Sequence, residues 1–148
     1  MKSLLRKCFQ NRSAMWIEID PVPKPRQTRS DVWKKRPIVL RYRKFADELR
    51  QACREEKFFP GDILLMEFYI KMPPSWSKKK RAVLIGQPHK QRPDIDNLVK
   101  SVLDALLPED CTVWNISAKK YWSESGKIKL ENKERNENDT NGDGPGKL

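Results

Sequence analysis

Apolar and polar positions alternate through Met15–Asp20 (MWIEID), with Trp16, Ile17 and Ile19 apolar, and predict a first β-strand. Pro21–Arg29 (PVPKPRQTR) has three prolines within five residues, which excludes a helix or a central strand. It reads as an extended basic arm that continues to Lys34, Lys35 and Arg36. From Pro37 to Phe59 the pattern turns helical, with Leu40, Phe45, Leu49, Ala52 and Cys53 as the apolar stripe and Pro60-Gly61 as the stop. Ile63–Met72 (ILLMEFYIKM) is long, aromatic and β-branched, as a central strand should be. Pro73-Pro74 ends it, and Ser75–Leu84 predicts a short basic helix capped by Ser75 or Ser77. Ile85–Pro93 is a loop, and Asn97–Leu107 is a helix with Leu98, Val102, Leu103, Leu106 and Leu107 inward. Thr112–Trp122 and Lys127–Glu131 read as a hairpin around Ser123–Gly126. The expected class is α+β, in the broad sense α/β: one domain with helices packed on a mixed β-sheet. Residues 15–131 form that domain, residues 1–14 an N-terminal extension, and 132–148 (NKERNENDTNGDGPGKL) a disordered tail too polar to bury a core.

The chain has 148 residues, 31 Lys+Arg, 20 Asp+Glu and a net charge of +11. Thirteen of the basic residues and three of the acids fall in residues 1–44, so the first third carries +10 and the remainder +1. Such a field selects a polyanion. No apolar run approaches the roughly 18 residues that cross a bilayer, and no basic amphipathic helix suggests a membrane surface. The first 16 residues have no sustained apolar stretch of a secretory signal. Three scattered cysteines (Cys8, Cys53, Cys111) form neither a CxxC nor a zinc pattern, so the expected location is a reducing cytoplasm.

Candidate chemistry concentrates in Arg92–Asp110, RPDIDNLVKSVLDALLPED. Asp94 and Asp96 flank Ile95 in a stretch read as extended, so both carboxylates point one way and Ile95 points into the core. Asp96 is a candidate N-cap, with Asn97 in competition. Lys100 lies one turn after Asp96 on the same face. Asp104, a turn further, is either a partner for Lys100 or a plain surface acid. Asp110 arrives beyond a helix of roughly 16 Å and joins the others only if the next strand returns alongside Ile63–Met72. Three carboxylates (Asp94, Asp96, Asp110) with a lysine and no Cys/His cluster suit Mg²⁺, with Mn²⁺ as substitute. The same D-x-D also fits a helix cap or a solvated loop.

The stretch RPDIDNLVKSVLDAL, followed by an acidic pair and a strand containing Lys-Lys-Tyr, resembles the RusA family of Holliday junction resolvases. IEIDPVPKPRQTR is similar to that family's first strand and basic arm, so the resemblance covers roughly residues 16–131. It implies a metal-dependent, dimeric endonuclease that cuts four-way DNA junctions symmetrically in recombination and repair. Enzymes of this type are often carried by phages or prophages. By position, Asp94 and Asp96 match the motif's metal-binding aspartates and Lys100 its catalytic lysine. The usual Asp-Asp pair appears as Glu109-Asp110, with Asp110 matching the functionally important second member. Cys111-Thr112-Val113-Trp114 stands where the family often has Ser-Gln-Ile.

Lys24, Arg26 and Arg29 on the arm, the run Lys78, Lys79, Lys80 and Arg81, the loop residue His89, and Arg92 are the candidate DNA phosphate contacts. Trp33 and Trp76 are candidates for stacking at a branch point, while Trp16, Trp114 and Trp122 are assigned to the core or a dimer face. Two other functions remain open on the residues: a branched-DNA-binding module whose acids only cap a helix, and a nuclease acting more broadly on flaps and forks.

Overall fold

In the computed structural model, which describes residues 11–26, 28–32 and 36–134, the elements follow the predicted order with one topological change. They are β1 (Ala14–Ile17), α1 (Pro37–Glu55), β2 (Ile63–Lys71), α2 (Lys78–Leu84), α3 (Ile95–Leu106), β3 (Asn115–Ser123) and β4 (Lys127–Asn132), with short 3-10 turns at Arg29–Val32 and Asp110–Thr112. The four strands make one mixed sheet in the order β1-β4-β2-β3, the mixed-sheet α+β domain that the pattern implies. Most of the N-terminal extension and of the tail, with Trp33, Lys34, Lys35 and Cys8, lies outside the described residues.

The hairpin expected from β3 and β4 does not form. β3 runs parallel to β2 from Ile63↔Asn115 to Lys71↔Ser123, and β4 pairs antiparallel with the other edge of β2 from Leu64↔Asn132 to Tyr69↔Lys127. The short connection therefore crosses the end of β2 instead of turning into a neighbouring partner. The physical reason lies in β2 itself, whose Leu64, Met66 and Phe68 are fully buried. A strand that apolar leaves no edge open, because its unpaired N–H and C=O groups would sit beside the core. Where the connection passes the chain leaving β1, Gly126 lies against Asp20, and a Cβ there would come within 2.7 Å of the Asp20 Cα. β4 also extends one residue past the expected edge, since the Asn132 side chain accepts from Gly61 N–H (2.7 Å) and donates to the Phe59 carbonyl (2.8 Å).

One sheet face is covered by α1 and α3. Val39, Tyr42, Phe45, Ala46, Leu49 and Cys53 of α1 are buried, as are Leu98, Val102, Leu103 and Ala105 of α3. All of these but Val39 pack in one core with Met15, Ile17, Leu64, Met66, Phe68, Ile128 and Leu130 from the strands, which follow period two. The α1 stripe starts at Val39, and Leu40 is exposed instead. The helix ends at Glu55, not at Phe59. Lys57 takes a left-handed φ of 54°, and the N–H groups of Lys57 and Phe58 bond the carbonyls of Arg54 (3.3 Å) and Cys53 (2.9 Å). This reversal drops Phe58 into the core, so a Schellman closure stops the helix before Pro60-Gly61 is reached. Cys53, buried beside the Met15 sulfur, has its thiol pKa pushed up to about 11 by burial.

The opposite sheet face carries Trp16, Tyr69 and Tyr121 in a row, with ring centroids 5.4 and 5.5 Å apart and Lys129 over the Trp16 ring. Of the two places expected for Trp16 and Trp114, the core and a dimer face, their exposure excludes the core, because odd and even positions of β1 fall on opposite faces and Trp114 precedes β3. Trp122 is buried as expected.

Candidate active site

Helix α3 begins two residues earlier than its apolar stripe requires. Asp94 is the N-cap, its carbonyl accepting from Leu98 N–H (3.2 Å), but its side chain makes no capping hydrogen bond. Asp96 lies in the first turn, inside the helix. The capping explanation of the D-x-D motif therefore has no support in the geometry, and both carboxylates are exposed to solvent. Ile95, expected to point into the core, is also helical and 37% exposed. A helical turn rotates successive residues by about 100°, so alternation across this segment is lost.

The rest of α3 is anchored from below. The Tyr42 hydroxyl donates to the Ser101 carbonyl (3.0 Å), Arg50 donates to the Ala105 carbonyl (3.2 Å), and the buried Ser101 hydroxyl donates to Leu98 (2.8 Å). Burial raises the Tyr42 pKa, with Asp104 adding to the rise, so it remains a neutral donor. From above, the Lys120 ammonium donates to the carbonyls of Gln91 (2.9 Å) and Pro93 (2.7 Å), pinning the loop that leads to Asp94 across a cis Arg92–Pro93 peptide. Sequence reasoning missed Lys120. Its only signal was a lysine on the core-facing parity of β3, where a charge needs a reason to be.

Asp96 and Lys100 fall on one helix face, and the 3-10 turn at Asp110 brings the third residue to them. Together they line an open cavity of about 400 Å³ whose floor includes Leu103 of α3 and Ile116 and Ala118 of β3. The parallel return of β3 beside β2 supplies this convergence. Asp94 lines a different cleft, of about 840 Å³, shared with Lys24, Arg26, Arg41, Lys71 and Arg92. The start of α3 is thus the ridge between an acidic groove and a basic cleft.

Asp104 connects the two. Its Oδ2 lies 3.5 Å from the Lys100 ammonium and 3.3 Å from that of Lys24, which also sits 4.5 Å above the Tyr42 ring. The arm is further tied to α3 by Lys24 N–H and the Asn97 carbonyl (3.3 Å). Of the two sequence readings of Asp104, partner of Lys100 is the observed one.

The remaining predicted DNA contacts spread out. Arg26 and Arg92 line the basic cleft, and Arg29 is exposed in its 3-10 turn. Lys78, Lys79 and Lys80 are exposed on α2, which Ser77 caps by accepting from Lys80 N–H (3.2 Å); Arg81 is half-buried. Lys80 covers the Trp76 ring at 4.1 Å, and that ring packs on Trp122 at 4.8 Å, so Trp76 is not a free wedge. His89 is 4% exposed, its ring 4.2 Å from that of Trp122, and its backbone N–H donates to the Lys120 carbonyl (3.0 Å). From that interior position it reaches no surface phosphate, because the loop folds its one aromatic residue onto Trp122. Arg41 and Lys71 were not singled out from the sequence, since one lies on a helix and the other at a strand end, far from the motif.

Among the described residues, no three His, Cys, Asp or Glu side chains stand close enough to hold a metal ion by themselves. The donor set in the acidic groove is two exposed aspartates without nitrogen or sulfur ligands. That fits Mg²⁺, which keeps several waters and takes one or two carboxylates together with substrate phosphate oxygens. No helix among the described residues is long and apolar enough to cross a membrane.

No curated protein matches the chain in sequence. The profile of endodeoxyribonuclease RusA, however, matches residues 18–131, which takes in the arm, both clefts, the D-x-D helix, β2, β3 and all but the last residue of β4, and begins just after β1. With Asp96, Lys100 and Asp110 on one groove and the match spanning most of the sequence, the chain belongs to the RusA endodeoxyribonuclease family.

Proposed function

We propose that this chain is a Mg²⁺-dependent, structure-selective endonuclease that resolves four-way DNA junctions as a homodimer, in recombination and repair. The observation that carries the reading is the meeting of Asp96, Lys100 and Asp110 on one open groove, from two elements, within a family of endodeoxyribonucleases. Asp96 and Asp110 would hold the ion, with Asp94 on the adjoining ridge as the third candidate ligand. When bound, Mg²⁺ supplies a Lewis acid and a more acidic water for attack on phosphorus.

The chain's own residues do the rest. Lys100 places a fixed positive charge beside the groove, where negative charge builds on the phosphoryl oxygens in the transition state. Asp104 restrains that ammonium from the turn below, so the lysine is oriented before substrate arrives. Lys120 holds the Gln91–Pro93 loop and thereby the position of Asp94. Two symmetric cuts call for two such sites, which a two-fold dimer supplies on a substrate that is itself roughly two-fold symmetric.

The test is cleavage of a synthetic four-way junction, a three-way junction, a flap and a linear duplex, each with and without Mg²⁺. The expected result is metal-dependent, paired cutting of the four-way junction, lost in Asp94→Asn and Lys100→Ala. Wild-type cutting by both folded variants would overturn the site. Tight junction binding with no metal-dependent cleavage would make the protein a binding module, and equal rates on flaps would broaden its substrate class.

A further inference from the structure

The basic cleft on the far side of the α3 ridge takes its walls from four separated parts of the chain. Arg26 comes from the arm, Arg41 from α1, Lys71 from the end of β2, and Arg92 from the loop before α3. A fifth cation, Lys24, already pairs with Asp104, a carboxylate that it shares with Lys100. The other four have no ion-pair partner among the described residues, and only Asp20 and Asp94 offset them in the lining. Like charges gathered around one cavity repel, and their gathering is stabilising only when an external anion enters. The floor is stiff and apolar, with Pro21, Pro23 and Pro25 beside Ile38 and Ile70. Prolines fix φ, so the arm's cations are held in place at little entropic cost on binding.

We propose that this cleft is a phosphodiester-backbone site and that Arg41 and Lys71 are its contacts from the body of the fold. It takes the phosphates adjoining the one that enters the acidic groove, so that the cut strand crosses the α3 ridge at Asp94. The assignment of the acidic groove as the place of cleavage rests on the nuclease reading above; the anion site itself rests on the four unpaired cations. Three guanidinium groups and an ammonium converging from different parts of the chain match the spread of oxygens along a strand better than a single small anion.

The test measures equilibrium binding of the full chain to a four-way junction and to a linear duplex, without divalent metal, across a salt series. The variant is Arg41→Ala/Lys71→Ala, compared with Arg54→Ala/Lys133→Ala, which removes two exposed cations outside the cleft. Each lost phosphate contact lowers the slope of log K against log salt by about 0.9. The cleft double variant should therefore lose roughly 1.8 from the slope on both DNAs, and the control double variant should keep it. Arg41→Lys/Lys71→Arg, which preserves charge, should stay within a few-fold of wild type. An unchanged slope in the folded cleft variant would overturn the proposal. Competition by dTMP at micromolar concentration would also overturn it, since the cleft would then be a mononucleotide site; millimolar competition is expected. If wild type cuts junctions but the slope does not respond, only the cleft assignment falls. If the slope responds and no metal-dependent cutting occurs, the cleft stands and the nuclease reading falls.

Discussion

The acidic groove and the basic cleft share the first turn of α3 as a common wall, yet they are built in opposite ways. Asp96 and Lys100 are one helical turn apart on a single helix, and Asp110 follows in the same stretch of chain. The basic cleft draws on four segments between Arg26 and Arg92 that only the packing of α1 and β2 against the arm brings together. The groove carries excess negative charge and fits a cation; the cleft has three more cations than acids and fits a phosphate strand. Chemistry therefore sits on a short, locally ordered motif, while grip is distributed over the fold. A motif that must hold geometry to a fraction of an ångström gains from one rigid helix, whereas phosphate neutralisation tolerates contributions from many places.

The largest expected effect separates the two functions. Asp96→Asn or Asp110→Asn should reduce Mg²⁺-dependent junction cleavage by roughly 10²–10³-fold, the scale of losing one group that stabilises the transition state, while metal-free junction binding holds or tightens because a negative charge is gone. Single-turnover cleavage alongside gel-shift titration reads both. Lys100→Ala should cost about 10²-fold in rate by the same reasoning, with Lys100→Arg recovering part of it. Next comes the wall that the two sites share. Lys120→Met removes two charge-assisted hydrogen bonds to the Gln91–Pro93 loop and should lower stability in urea by about 2 kcal/mol, with both cleavage and binding weakened.

Asp104→Asn tests the link between groove and cleft. The Lys24–Asp104 pair is about three-quarters buried, whereas Lys100 is more than half exposed and its pair is worth only a few tenths of a kcal/mol. The variant should lose about 1 kcal/mol of stability and about five-fold in cleavage rate, with Asp104→Glu restoring part of the rate. The smallest effect concerns His89. Burial first, and then the charge of Lys120, lower its pKa below the ordinary 6.5. The unfolded chain therefore takes up a proton near pH 6.5 that the folded chain refuses. His89 thus contributes stability above that pH, which is lost as pH falls through the folded value. Tm should decline as pH falls below 6.5, and His89→Gln should flatten the decline.

Particular residues show how far the chain could be read before its fold was known. The alternation in β1 and the stripe in α3 were legible because each reports burial on one side of a regular element, and the long apolar run of β2 was legible as a central strand. Lys100 was legible for the same reason, four residues after Asp96. The hairpin was not. A short turn after an alternating strand signals reversal of direction, but not which strand becomes the neighbour, and the apolar β2 claimed both β3 and β4. His89, expected at a surface phosphate, is buried on Trp122, and Trp16, expected in the core or on a dimer face, is exposed beside Tyr69. Loop direction and strand parity, not residue type, made that choice.

The amino-acid order by itself determined the elements, the location of the excess positive charge, and the carboxylate–lysine motif that marks the family. These depend on neighbours within a few residues, where backbone geometry is periodic. Only the tertiary structure decided that Asp110 joins Asp96 on one groove while Asp94 lines the cleft beside it, and that Arg41 and Lys71 join Arg26 and Arg92. Such meetings depend on how β2 satisfies both of its edges and on where α1 and α3 settle over it. That choice is made by burial of the whole core, and no local pattern carries it.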